Sequence, residues 1–159
     1  DHGYTGSEAG QLWCLGVVAE VVLFWFVARL LRRVSLRSLL LGSLILGALR
    51  WWVIALAVDQ PLLLAAAQTL HAATFGAAHV AAIHLIHHYF GGAHHAKGQA
   101  LYNSVAYGAG GMVGSYAAGA LWVQWGGPAV FIGAAAVSLF AFVIAWLVVG
   151  SVNTRAATA

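Results

Sequence analysis

The stretch "HAATFGAAHVAAIHLIHHYFGGAHH", residues 71–95, decides how this chain is read. It carries seven of the chain's eight histidines, yet between them stand mostly Ala, Val, Leu, Ile and Phe. Such a segment is apolar enough to lie in a membrane, so its histidines are either polar groups held inside a bundle or residues gathered at a water boundary. At about 100° per residue, Gln68, His71, Phe75 and His79 fall within about 80° of one another. Thr74 is adjacent to that stripe, and His84 points nearly opposite. The remaining histidines, His87, His88, His94 and His95, follow at the end of the helix and in the loop after it.

The surrounding sequence settles the solvent. The chain has 159 residues, 62% hydrophobic and 7% charged, with a mean hydropathy of +0.88. Soluble domains carry about 25% charged residues, so this chain could not cover a soluble surface. A bilayer crossing needs about 20 mostly apolar residues. Five such spans are predicted, at about 10–31, 36–58, 62–90, 99–125 and 128–150, joined by short connections. No period-two alternation marks a barrel. The fold class predicted is therefore all-α and integral to the membrane: five transmembrane helices in one domain, residues 1–159. The one cysteine, Cys14, permits no disulfide within the chain. The sequence begins at Asp1 rather than Met, as a processed product or a piece of a longer chain would.

Charge gives the orientation. Arg29, Arg32, Arg33 and Arg37 cluster between the first two spans, Lys97 lies between the third and fourth, and Arg155 follows the fifth. With alternating spans these share one side, and Asp1, Glu8 and Asp59 share the other. Excess Lys and Arg marks the cytoplasmic side, which puts the N-terminus outside and the C-terminus inside. The same bias explains the pI near 9.4 without a nucleic-acid partner.

Two charges remain within spans: Glu20 in the first and Arg50 in the second. Each costs about 2.5–3.5 kcal/mol at a helix centre, so both are expected to face the bundle interior and to pair with each other. Such a pair reads either as a structural ion pair or as part of a solute or proton path. The His71–His79 stripe, with Gln68, extends the second reading, because histidine titrates near neutral pH and can relay protons.

Metal and haem chemistry fit less well. "HLIHH" (His84, His87, His88) matches the HxxHH box of membrane di-iron enzymes. Every candidate ligand except His2, however, comes from one helix and its loop, which cannot encircle two metals. Zn or Ni on His87, His88, His94 and His95 is chemically plausible, but the plainer reading is interfacial histidines standing in for Lys and Arg. His71 and His84 have a two-haem spacing, but the other four spans hold no second histidine. No metal and no cofactor are expected, and no enzyme activity.

The fourth span, "GQALYNSVAYGAGGMVGSYAAGALW", places Asn103 and Tyr107 near its inner end as further pathway residues. Gly110 and Gly114 form GxxxG, flanked by Ala106 and Ala118, a small-residue row that lets helices pack closely. The fifth span has only Ser138 as a polar side chain and is predicted to be a lipid-facing support.

Taken with "GYTGSEAGQLWCLGVVAEVVLFWFVARLLRRVSLRSLLLGSLILGALRWW", "QTLHAATFGAAH" and "GQALYNSVAYGAGG", these features resemble the C-terminal half of a major facilitator superfamily transporter. The resemblance is to the phenylpropionate-permease and lactose-permease-like proton symporters. It implies a partial major facilitator fold, with the spans as helices eight to twelve, in a bacterial inner membrane. In that pattern an arginine on helix nine and a histidine on helix ten serve proton coupling, and they fall on Arg50 and His71. The coupling carboxylate one turn later falls on Thr74, so it is absent. The sugar-contacting acid of helix eight lies a residue or two from Glu20 in register. That leaves Glu20 as the sole intramembrane carboxylate able to carry a proton. The implied partners are the bilayer, a small solute, protons, and the N-terminal half of the transporter or other membrane subunits. The alternative from a different class is a non-transporting scaffold or assembly subunit whose polar groups are structural.

Overall fold

The computed structural model describes residues 3–150. Asp1, His2 and Arg155, which enter the charge and ligand readings above, lie outside the described residues.

All regular structure among the described residues is helical. Helix α1 spans Gly6–Arg33 and α2 spans Leu36–Leu56. A third run comprises α3 (Pro61–Thr69), a π-helical segment (Ala72–Gly76) and α4 (Ala77–Tyr89). After a short 3₁₀ turn at Gly92–His94 come α5 (His95–Asn103), a second π-helical segment (Ser104–Ala109) and α6 (Gly110–Val148). In hydrocarbon every backbone group must find a partner within the protein, and helices provide that along their length.

The ends are set by local chemistry. Thr5 caps α1 through a reciprocal box: Glu8 N–H donates to Thr5 Oγ1 at 3.2 Å and Thr5 N–H donates to Glu8 Oε2 at 2.7 Å. Arg32 and Arg33 in the last turn of α1 complement the helix dipole. Ser35 caps α2 by accepting from Ser38 N–H at 3.1 Å. Pro61 opens α3, where its missing N–H costs nothing.

Among the described residues four helical stretches, not five, are long and apolar enough to cross a membrane: Gly6–Arg33, Leu36–Leu56, Pro61–Tyr89 and Gly92–Val148. At the predicted break, Gly126–Gly127, the two arms of α6 meet at a kink. Gly126 sits at φ 78°, ψ −179°, with Pro128 just beyond. A Cβ built on Gly133 would lie 3.4 Å from Leu121 Cδ1, whereas twelve residues of straight helix cover about 18 Å. The chain therefore turns sharply at Gly126, a backbone conformation that favours glycine.

Helix α2 is the centre of the bundle. The arm of α6 after Gly126 runs antiparallel along it: Trp51 stacks on Phe131 at 5.8 Å, Gly47 faces Ser138, and Arg37 Nη2 donates to Trp146 O at 2.8 Å. Helix α1 runs parallel to the third stretch, with Gly16 against Gln68 and His71, and Leu23 against Gly76. Two apolar clusters, Leu39–Ala77–Ala81 and Ile54–Leu64–Ala67, hold α2 to the third stretch. Gly16, Gly47, Gly76 and the alanines of both clusters let the backbones approach closely at these contacts.

Candidate functional site

Arg50 is 7% exposed. It does not pair with Glu20 as the sequence predicts; among the described residues no ion pair joins them. Its guanidinium turns instead to the third stretch, where Nε donates to Ala67 O at 3.0 Å and Nη2 donates to Gln68 Oε1 at 3.1 Å. It also lies over the Trp51 ring, 4.4 Å from the centroid, a contact that suits a desolvated cation. The correction has a simple cause. The backbone and side-chain carbonyls on the facing helix answer the guanidinium's planar fork of donors, so the charge is satisfied without a carboxylate.

Glu20 meets His71 instead. His71 Nε2 lies 3.6 Å from Glu20 Oε2, with the two side chains 22% and 15% exposed. Two glycines allow the approach. A Cβ on Gly16 would come within 3.1 Å of Gln68 O and 3.3 Å of His71 Cβ, and one on Gly76 within 3.1 Å of Glu20 Cγ. His71 Nδ1 is buried and meets no hydrogen-bond partner among the described residues.

The predicted stripe is a ladder of rings. His71 stacks on Phe75 at 5.2 Å and 6°, and Phe75 stacks on His79 at 6.3 Å and 8°. His79 Nδ1 then lies 3.1 Å from Tyr107 Oη, and Tyr102 packs close by, its ring 6.2 Å from that of His79. His71 thus faces α1, and His79 faces the fourth stretch. Both π-helical segments lie on this ladder: Ala72–Gly76 between the two histidines, and Ser104–Ala109 around Tyr107. Such segments are frequent at functional sites. Nothing in the hydrophobic period marks them in the sequence.

Beside Arg50 and His71 opens a cavity of about 400 Å³. Trp13, Trp51 and Phe75 give it aromatic walls, and Thr74, Ser43 and Ser138 add hydroxyls around Gly47. Of the sequence-predicted residues, the structure brings Glu20, Arg50, Gln68, His71, His79 and Tyr107 into one connected group. Asn103 is exposed and does not line the cavity. Gly110 and Gly114 face outward, and a Cβ at Gly114 would meet nothing within 4 Å. Trp13, Ser43 and Ser138 were not legible as site residues. Ser138, alone on an apolar helix, carried the one available signal.

The histidines at the end of the third stretch stand apart from this ladder. His87 and His95 stack with centroids 3.3 Å apart. Among the described residues no group of three or more His, Cys, Asp or Glu side chains is arranged to hold a metal ion.

Comparison with known proteins gives the family. Over 84 residues, 53% of this chain, the sequence is 44% identical to a protein of Escherichia coli (strain K12) named a probable 3-phenylpropionic acid transporter. The chain spans 22% of that relative's length. No solved structure matches the chain. The model of the MFS_1 like family matches residues 1–133; the chain is an integral membrane protein belonging to that family, a major facilitator group of transporters and not of enzymes.

Proposed function

We propose that this chain is one transmembrane domain, corresponding to helices eight to twelve of a proton-coupled symporter, and that it supplies the solute and proton site of the C-terminal half. The observation that carries the reading is the convergence of Arg50, His71 and Glu20 beside a cavity inside an otherwise apolar bundle. An ionisable group within a membrane is costly, so such a cluster marks a path rather than a surface.

The chemistry divides between the residues. Arg50 keeps Nη1 free of protein partners among the described residues while Nε and Nη2 are held by Ala67 and Gln68. His71 Nδ1 is likewise unpartnered. Arg50 Nη1 can donate to a carboxylate, and Trp13, Trp51 and Phe75 can flank an aromatic ring. The relative named for 3-phenylpropionic acid supports a small aromatic acid as the solute class. Glu20, against His71, holds the coupled proton, and His79 with Tyr107 continues the polar path toward the inner end. One proton and one monocarboxylate cross together without net charge.

In this reading the fourth stretch crosses twice, turning at Gly126. The N-terminus is outside, the membrane is a bacterial inner membrane, and the Gly110–Gly114 row receives a helix from beyond this sequence. Alternating access requires two halves moving about a central site, so the test uses the full encoded chain in proteoliposomes. An inward proton gradient should drive uptake of radiolabelled 3-phenylpropionate. His71→Ala or Glu20→Gln should abolish the gradient-driven component while sparing exchange at equilibrium. Wild-type protein that shows no dependence on the gradient would refute proton coupling.

A further inference from the structure

Resting on the reading of an aromatic monoacid at Arg50, we infer that the far wall of the same cavity is a second subsite, built to accept a hydrogen-bond donor on the solute. That wall is the notch at Gly47, bordered by Ser43, Thr74 and Ser138. A Cβ on Gly47 would sit 3.5 Å from Ser138 Oγ and 3.9 Å from Thr74 Cβ. Glycine there leaves open the space in which the hydroxyls converge.

The state of each hydroxyl sets the ligand chemistry. Ser43 Oγ donates to Leu40 O at 2.8 Å, and Thr74 Oγ1 donates to His71 O at 3.3 Å. Their protons are spent on the backbone, so each presents only lone pairs. Ser138 makes no hydrogen bond among the described residues and can donate or accept. A wall with two acceptors and one ambivalent hydroxyl suits an O–H or N–H group. A second carboxylate would meet lone pairs and have only Ser138 as donor.

Position fixes the solute's shape. Ser43, Gly47 and Arg50 follow one another on α2, and the seven residues from 43 to 50 rise about 10 Å. A phenyl ring with a short carboxyalkyl chain covers that length, its carboxylate at Arg50, its ring across Gly47 and a ring substituent toward Ser43. The substrate class assigned is a ring-hydroxylated (or ring-aminated) aryl alkanoic acid.

The test is competition against uptake of radiolabelled 3-phenylpropionate by the full encoded chain in proteoliposomes. The competitors are 3-(4-hydroxyphenyl)propionate, unlabelled 3-phenylpropionate and phenylsuccinate. The hydroxylated acid should compete about five- to tenfold more strongly than the unsubstituted one, the worth of one buried hydrogen bond, and phenylsuccinate more weakly than either. Ser138→Ala should bring the ratio of the two monoacids close to one, and Thr74→Val should reduce it. Whichever variant reaches the membrane decides. Equal competition by the two monoacids in wild-type protein, or a ratio unchanged in the variants, overturns the subsite while leaving the carboxylate site at Arg50 intact. Failure of both monoacids to compete overturns the two together.

Discussion

His71 approaches Glu20 to 3.6 Å, and the helices that carry them meet through Gly16 and Gly76, where an added methyl group would press on Gln68 O or on Glu20 itself. The intramembrane carboxylate is therefore matched to an imidazole rather than to the nearby guanidinium. Arg50 is held separately, by Ala67 and Gln68.

Glycine 16 is the most sensitive point of that approach. In Gly16→Ala the new Cβ would meet a backbone oxygen at 3.1 Å, which cannot swing aside. The expected loss is about 1–3 kcal/mol, the usual range for overpacking, read as a lowered detergent-denaturation midpoint. Gly42→Ala, where nothing lies within 4 Å, should be tolerated. Equal midpoints for the two variants would mean that the helices do not meet at Gly16.

Double-mutant cycles should separate the two polar pairs. Arg50→Leu and Gln68→Ala share a hydrogen bond and should be non-additive by about 0.5–3 kcal/mol. Glu20→Gln with His71→Ala should couple in the same range. Glu20→Gln with Arg50→Leu should add nearly independently. Strong coupling in that last cycle would restore the direct pair that the sequence suggested.

Arg50→Lys should fail to replace arginine despite keeping the charge. An ammonium cannot reproduce the planar fork that reaches Ala67 O and Gln68 Oε1 together while lying over Trp51. Binding of 3-phenylpropionate, followed by competition in membranes, should weaken at least about tenfold, the scale of a charge-assisted hydrogen bond. Wild-type affinity in the lysine variant would show that charge alone suffices.

Topology is open to single-cysteine labelling in a Cys14→Ser background. Cysteines at Ser35 and Ala93 should react only with permeant reagents. Those at Gln60 and Gln124 should react with impermeant reagents from outside. Gln124 lies just before the turn at Gly126, so its protection from external reagents would argue against a second crossing by the fourth stretch.

The sequence by itself determined the solvent, the helical class and the polar stripe. Apolar runs of bilayer length exclude a soluble fold, and the spacing of Gln68, His71, Phe75 and His79 puts them on one helix face whatever that face meets. Pairing was another matter. Glu20 and Arg50 are both charged and both within spans, but which one finds the other depends on helix rotation and on how closely backbones approach. Gly16 and Gly76 set that approach for Glu20 and His71, and the carbonyl of Ala67 with the Gln68 amide captured Arg50 first. Ser138 shows the same limit. On an apolar helix a single hydroxyl reads as incidental, and only packing against Gly47 turns it into the cavity. The π-helical segments also came from the folded chain, because one inserted residue leaves the hydrophobic period almost unchanged while redirecting every side chain beyond it.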